Sequence, residues 1–150
     1  ALAGCGGYIA GEHALVDHLK FLAPGFLYSV GMSPPLAAAS LAALHCMQDE
    51  PERVTNLQNR SNLFLQLAKS AGIDIGTSAG LAIVPAILGS SLKAVKLSAA
   101  LFKHGINTQP IVYPAVPEKS ARLRFFISSQ HTESQINFTI ETLASELSHV

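Results

Sequence analysis

The sequence predicts an α/β protein of the α+β kind, with a short, mostly antiparallel sheet that carries helices on one face. The clearest observation is the alternation in residues 121–128, where Leu123 and Phe125 face one side and Arg122 and Arg124 face the other. A second observation is the order of patterns after residue 51, which runs helix, strand, helix, strand, strand, helix. A third is the composition, because a chain with 49% hydrophobic and 13% charged residues is too apolar to be disordered.

The first part of the chain predicts mostly helix. Residues 4–11 are rich in glycine and predict a turn that runs into a short apolar strand; a phosphate loop is the alternative, but the Gly-Lys-Ser/Thr ending is absent. Leucines at helical spacing predict a helix over residues 12–22, and residues 23–33 predict a loop or a short strand. Ser33 followed by two prolines predicts the start of an alanine-rich helix over residues 34–49.

A domain boundary is predicted at the Asp49-Glu50-Pro51 cluster, where the alanine-rich helix ends. Residues 1–50 and 51–150 are therefore treated as two domains. A helix with small side chains on most sides suits a position between two bodies.

The second domain begins with a long amphipathic helix that ends at Gly72. Pro85 predicts that the strand around it lies at a sheet edge or contains a bulge, because proline cannot donate to a ladder. Thr132 and Gln135 predict a capping box at the last helix. The remaining elements are strands over residues 81–88, 106–112 and 122–128, and a helix from Ser90 or Ser91 to His104.

Charge and cysteine content limit the partners of the chain. Ten basic and ten acidic residues cancel, so nothing predicts binding to nucleic acid or to an anionic membrane. The most apolar run, residues 34–47, is too short to span a bilayer. Cys5 and Cys46 do not make a disulfide framework and fit a reducing cytoplasm. His13 and His18 are five residues apart, which is poor spacing for zinc, and no metal site is predicted.

Arg122 and Arg124 are the strongest candidates for a binding site. They share the polar face of a predicted strand, directly after a loop that Pro114 and Pro117 stiffen. A guanidinium held on a strand can grip a carboxylate or a phosphate with two parallel hydrogen bonds. The alternative is a solvated sheet face with two ordinary surface arginines.

Six short motifs, taken in order, resemble the C-terminal part of the α-oxoamine synthases. They are GGYIAG, APGFLYS, SPP, YPAVP, ARLRF and SSQHT. This family of fold-type-I enzymes depends on pyridoxal phosphate and includes 8-amino-7-oxononanoate synthase, 2-amino-3-ketobutyrate CoA ligase, serine palmitoyltransferase and 5-aminolevulinate synthase. The resemblance covers nearly the whole chain. It implies that residues 51–150 are a small C-terminal domain, preceded by the end of the large domain and a long linking helix.

The resemblance also implies roles for particular residues. Arg124, the second arginine of ARLR, matches the residue that grips the amino-acid carboxylate. Ser29 and Val30 match a pair that reaches the cofactor phosphate of the other subunit in a homodimer. The lysine that forms the Schiff base is expected just before Ala1, so no catalytic residue is expected in this chain, which should be inactive alone.

Two departures from the family pattern bear on specificity. The second residue of the phosphate-contacting pair is often Thr or Asn, whereas Val30 can offer only its backbone N–H. In oxononanoate synthases the stiff loop tends to read PPTVP with an arginine upstream. Here Ala115 replaces the threonine and Val112 lies near the place of that arginine, which is closer to the serine palmitoyltransferase pattern.

The implied reaction is a decarboxylative condensation of an amino acid with an acyl thioester, on coenzyme A or on an acyl carrier protein. Three alternatives remain open from the residues alone. They are an aminotransferase of class I or II, a non-catalytic partner subunit of a synthase, and an isolated structural domain.

Overall fold

A computed structural model of the chain describes Leu2 and residues 4–150. The chain divides after Pro51 into two compact units, which are called unit 1 and unit 2. Unit 1 holds three helices: α1 (His13–Leu22), α2 (Pro24–Leu27) and α3 (Pro34–Asp49). Unit 2 holds α4 (Glu52–Ser70), β1 (Ile83–Ile87), α5 (Ser91–Lys103), β2 (Gln109–Ile111), a 3-10 helix (Glu118–Ser120), β3 (Arg122–Phe126) and α6 (Glu133–Leu147).

Unit 1 corrects two expectations. The short strand expected within residues 4–11 is absent, because this glycine-rich stretch forms bends and irregular chain without a ladder partner. Residues 23–33, for which a loop or a short strand was predicted, begin with the four-residue helix α2 and continue as a loop. The first turn of α2 forms because Pro24 is preset for a helix and the Ala23 carbonyl accepts from the N–H groups of Phe26 and Leu27.

Helix α3 begins where the Ser-Pro-Pro motif predicts. Ser33 takes the extended N-cap conformation, and its carbonyl accepts from Ala37 at 3.0 Å. Its side chain makes no cap hydrogen bond. Pro34 and Pro35 occupy the first two helical positions and carry no N–H, so fewer donors at this end need a partner.

The sheet of unit 2 has three antiparallel strands in the order β1-β3-β2, which confirms the predicted α+β fold. Helix α4 contacts β1, α5 contacts β2 and β3, and α6 packs against α4 and α5. The core therefore lies on one face of the sheet, where Val84, Leu123, Phe125, Leu97 and Ile140 are buried.

Pro85 lies on the edge strand β1, as predicted. Ile87 donates its N–H to Asp74 at 2.7 Å and not to β3. Because N–H directions alternate along a strand, the nitrogen of Pro85, two residues earlier, also points away from β3. A missing N–H at this position costs the sheet no ladder bond.

The strands are shorter than the sequence pattern predicts, because neighbouring turns take their outer backbone groups. Ile106 donates to Leu101 at 3.0 Å, which closes the end of α5, so the chain joins the sheet only at Gln109. At the other end, Ser128 donates its N–H to the His131 ring at 3.1 Å. The predicted capping box follows at once, since Thr132 and Gln135 exchange hydrogen bonds.

Candidate active site

The face of the sheet turned away from the core carries both candidate arginines. This open face consists of side chains from all three strands. In one cross-strand row Arg124 lies between Pro85 of β1 and Gln109 of β2, and in the next row Arg122 lies between Ile87 and Ile111. The strand pattern of the sequence predicted this placement because side chains alternate between the two faces.

Arg124 is exposed, and its guanidinium carbon lies 5.2 Å from the centre of the Phe126 ring on the same face. A guanidinium over an aromatic face is held by a cation–π contact that leaves its edge donors unused. Among the residues that the structure describes, no hydrogen bond or ion pair joins the Arg124 side chain. Its N–H groups are therefore available for a carboxylate.

The backbone of Arg124 is fixed from the core side. Thr108 is buried, and its hydroxyl donates to the Arg124 carbonyl at 3.2 Å. Ser98 of α5 in turn donates to the Thr108 carbonyl at 2.7 Å. Helix α5 is thus connected to the strand position that carries the exposed guanidinium.

Arg122 has a different environment, although it lies on the same face. It is half-buried, and its Nε donates to the Ser120 carbonyl at 2.7 Å. This bond ties the side chain to the 3-10 helix that precedes β3. Arg122 supports local structure and is less available to a ligand than Arg124.

A cleft of about 570 Å³ opens on the same face beside β1. Its wall includes Arg122, Ile83, Pro85 and Ile87, and residues 75–79 close its far side. Apolar walls with one cation at the margin suit a ligand that is mostly apolar and carries a negative group.

The loop between β2 and β3 is attached to the start of α5. Within this loop, the peptide bond between Tyr113 and Pro114 is cis. The Tyr113 N–H donates to the Ser91 hydroxyl at 3.3 Å, and Glu118 accepts from the backbone N–H of Ser91 at 2.7 Å and from its hydroxyl. These hydrogen bonds from Ser91 lower the pKa of the Glu118 carboxyl below its ordinary value.

Ser29 and Val30 lie together in unit 1, on the segment between α2 and α3. The Ser29 hydroxyl donates to the Phe26 carbonyl at 3.1 Å. Val30 is 94% exposed, and its N–H has no partner in the described part of the chain. One free backbone donor and one exposed hydroxyl are available here for an anion. Their role remains a prediction.

Several groups near the arginines escaped the sequence analysis. Glu118, Ser91 and Thr108 are joined only by the tertiary fold, since 27 residues separate Ser91 from Glu118 and 16 separate Thr108 from Arg124. Their sole sequence signal was a serine at a predicted helix start. The His131 ring accepts from the Ser128 N–H, which is a local hydrogen bond.

The residues that the structure describes contain neither a membrane-spanning helix nor a cluster of metal ligands. None of the helices in this part of the chain is both long enough and apolar enough to cross a membrane. Within the same residues, no group of three His, Cys, Asp or Glu side chains is placed to hold a metal ion. Cys5 and Cys46 are free and exposed thiols.

The sequence matches the family model of the aminotransferases of class I and II over residues 1–143. It is 40% identical over 136 residues to 8-amino-7-oxononanoate synthase of Fervidobacterium nodosum, covering 91% of this chain and 34% of that protein. It is 32% identical over 143 residues to serine palmitoyltransferase of Sphingobacterium spiritivorum, covering 95% of this chain and 36% of that protein.

Solved structures share the fold. An 8-amino-7-oxononanoate synthase from Francisella tularensis superposes with a TM-score of 0.75 at 22% identity, over 92% of this chain and 40% of that one. A serine palmitoyltransferase from S. paucimobilis gives 0.79 at 19% identity, over 92% of this chain and 36% of that one.

The fold is thus that of part of a pyridoxal-phosphate-dependent transferase. The chain belongs to the aminotransferase class I and II family, and its resemblance to the α-oxoamine synthases within that family is confirmed by its relatives. It spans about a third of the length of the curated relatives that it matches.

Proposed function

We propose that this chain is the C-terminal part of a pyridoxal-phosphate-dependent acyltransferase of the α-oxoamine synthase type. The full-length protein condenses an amino acid with an acyl thioester, with loss of carbon dioxide; the acyl group arrives on coenzyme A or on an acyl carrier protein. The observation that carries this proposal is the exposed Arg124, held on a strand with its guanidinium donors unused.

Arg124 grips the carboxylate of the amino acid. Its guanidinium can offer two parallel N–H donors to two carboxylate oxygens, which fixes the plane of the group as well as its position. The Phe126 ring under the guanidinium limits its orientations, and the Thr108 hydroxyl holds the backbone from behind. Arg124 is therefore a substrate-binding residue that orients the carboxylate for the reaction.

Ser29 and Val30 contact the phosphate of the cofactor that the partner subunit of a homodimer holds. The free N–H of Val30 and the exposed Ser29 hydroxyl support this role, since both can donate to a phosphate oxygen. The Ser29 hydroxyl would turn from the Phe26 carbonyl toward the phosphate.

When bound, pyridoxal phosphate would supply an electron sink for the α-carbon of the amino acid. The catalytic lysine belongs to the segment before Ala1. The six lysines of this chain, Lys20, Lys69, Lys93, Lys96, Lys103 and Lys119, are all exposed, which supports the proposal that none of them takes this role. Free thiols at Cys5 and Cys46 support a cytoplasmic location.

The test is Arg124→Lys in the full-length protein, compared with Arg122→Lys. A hydrogen bond to a charged group contributes roughly 1.5–3 kcal/mol, so loss of the bidentate grip should raise the amino-acid dissociation constant about ten- to a hundredfold. Binding is measured by titrating the absorbance of the bound cofactor with amino acid, and the KM of the acyl thioester should change much less.

Arg122→Lys is the matched control, because it makes the same change on the same face about 6–7 Å along the strand. Equal losses in the two variants, or none at Arg124, would contradict the assignment. Turnover of an amino acid with an oxo acid and no thioester would instead identify an aminotransferase. A full-length protein that binds no cofactor would indicate a non-catalytic partner subunit.

A further inference from the structure

Ser91, the first residue of α5, contacts both ends of the loop between β2 and β3. At the near end its hydroxyl oxygen accepts from the Tyr113 N–H at 3.3 Å. At the far end its own N–H donates to Glu118 Oε1 at 2.7 Å, and its hydroxyl donates to Oε2. One serine thus joins the two ends of the loop, and Pro114 and Pro117 already restrict the backbone between those ends. We call Ser91, Tyr113 and Glu118 the Ser91–Glu118 clasp.

The electrostatics of this position favour the clasp. The first N–H groups of a helix lack partners inside the helix, and its N-terminus carries a partial positive charge. The Glu118 carboxylate satisfies one of those donors, while Ser90 caps the helix by accepting from Lys93 at 3.4 Å. The hydrogen bonds from Ser91 also lower the pKa of the Glu118 carboxyl below its ordinary value.

The clasp also fixes the entry of the chain into β3. The Ala121 N–H donates to the Glu118 carbonyl at 3.0 Å, and the Ala121 carbonyl accepts from Leu88 and Gly89 at 2.8 and 3.1 Å. Hydrogen bonds therefore connect Glu118, the start of β3 and the segment between β1 and α5. The loop stands at the end of the open face where Arg122 lies.

The distance between Arg124 and this loop determines which of the two substrates can reach the loop. A strand rises about 3.3 Å per residue, so Ala121 lies about 10 Å along β3 from Arg124. A small amino acid whose carboxylate is held at Arg124 does not extend so far. The longer acyl chain of the second substrate does.

We propose that Glu118 and Ser91 are positioning residues, which hold the loop of residues 112–118 in the conformation that contacts the acyl thioester. This inference rests on the proposed acyltransferase function. Neither residue touches the reacting atoms. Their effect passes through the loop, of which Tyr113, Pro114 and Ala115 are exposed.

The experiment compares Glu118→Gln, Ser91→Ala and the double variant in the full-length protein. Glu118→Gln retains the size of the side chain but loses the charge and one acceptor oxygen. The KM of the acyl thioester should rise about three- to tenfold in each single variant, with the amino-acid dissociation constant changed by less than about twofold. The double variant should resemble the single variants, since both remove the same contact.

Glu141→Gln is the matched control, because this exposed glutamate of α6 lies outside the loop and the open face. Additive effects in the double variant, or equal changes for both substrates, would overturn the proposal. Amide hydrogen exchange supplies a readout that needs no activity: the Ser91 and Tyr113 amides should exchange faster in Glu118→Gln than in Glu141→Gln. Unchanged exchange there refutes the clasp, whereas faster exchange in a protein without acyltransferase activity refutes only the proposed function.

Discussion

Ala82, just before β1, holds a backbone conformation that favours glycine. Its φ is 58°, and its N–H donates to the buried Ser61 hydroxyl at 3.1 Å while its carbonyl accepts from Ile127 at 2.7 Å. These two bonds connect α4 and the end of β3 through one strained residue. The strained conformation is retained because the hydrogen bonds to Ser61 and Ile127 fix the backbone of Ala82.

We expect Ala82→Gly to stabilise unit 2. An L-residue in the left-handed region costs about 1–2 kcal/mol. Glycine removes this cost, but part of the gain is lost because glycine gives the unfolded chain more conformational freedom. The free energy of unfolding in urea should rise by about 0.5–1 kcal/mol. Ala86→Gly, in the middle of β1, is the control and should lower that free energy by about 1 kcal/mol. A loss of stability in Ala82→Gly would show that its methyl group matters more than its φ.

At the scale of single elements, the contact between Glu118 and the start of α5 makes stability depend on pH. The folded-state pKa of Glu118 lies below its ordinary value, so the ionised carboxyl stabilises the fold above the unfolded pKa. That contribution is lost as the pH falls through the folded pKa. The relevant window lies below the ordinary glutamate value of about 4.3.

The measurement is urea unfolding of the wild type and of Glu118→Gln between neutral and acid pH. The wild type should be the more stable at neutral pH, and the difference in unfolding free energy should shrink as the pH falls through that window. Glu141→Gln removes one carboxylate elsewhere and serves for comparison. A difference that stays constant down to the lowest pH would mean that the Ser91 contact does not favour the ionised form.

At the scale of the whole molecule, the two units differ in how they bury apolar side chains. Unit 2 has one continuous core, whereas no residue of α1, α2 or α3 is buried. Large apolar side chains of unit 1 such as Phe21, Tyr28 and Val30 are exposed. So much exposed apolar surface is typical of a segment that another domain or subunit covers.

Subunit mixing tests the shared site of that homodimer. Ser29→Ala subunits are combined with subunits in which the proposed upstream lysine is replaced. If Ser29 serves the partner's cofactor, only one site of each mixed dimer carries both defects, and the other site is intact. Mixed dimers should therefore regain about half of the activity per dimer, as expected for independent sites. A Ser29→Ala dimer has two sites with this defect, whereas a mixed dimer would have one. Activity per mixed dimer no higher than half that of the Ser29→Ala dimer would therefore show that Ser29 serves its own subunit.

The chain alone should form no stable adduct with pyridoxal phosphate. Its six lysines are exposed, whereas a lysine that forms a Schiff base is activated in an apolar pocket or beside another cationic group. The chain is incubated with pyridoxal phosphate, reduced with borohydride, dialysed and digested. A stoichiometric adduct at one lysine would contradict the proposal that the catalytic lysine lies upstream.

The sequence by itself determined the pattern of unit 2. Period-two alternation placed Arg124 opposite Leu123 and Phe125, Pro85 predicted an edge strand, and Thr132 with Gln135 predicted a helix start. These are local properties, because each depends on residues within one turn or one strand. The sequence also indicated the family, since six motifs stand in the same order as in its members.

Only the tertiary structure decided which of these residues have partners. Ser61 lies on the predicted amphipathic helix, and its hydroxyl accepts from the N–H of Ala82, 21 residues away. Arg122 and Arg124 are equivalent in the sequence pattern. In the structure Arg122 donates a hydrogen bond to the Ser120 carbonyl, whereas the guanidinium donors of Arg124 stay available. Such differences arise from contacts between segments distant in sequence, and local propensity carries no information about which donor meets which acceptor across the fold.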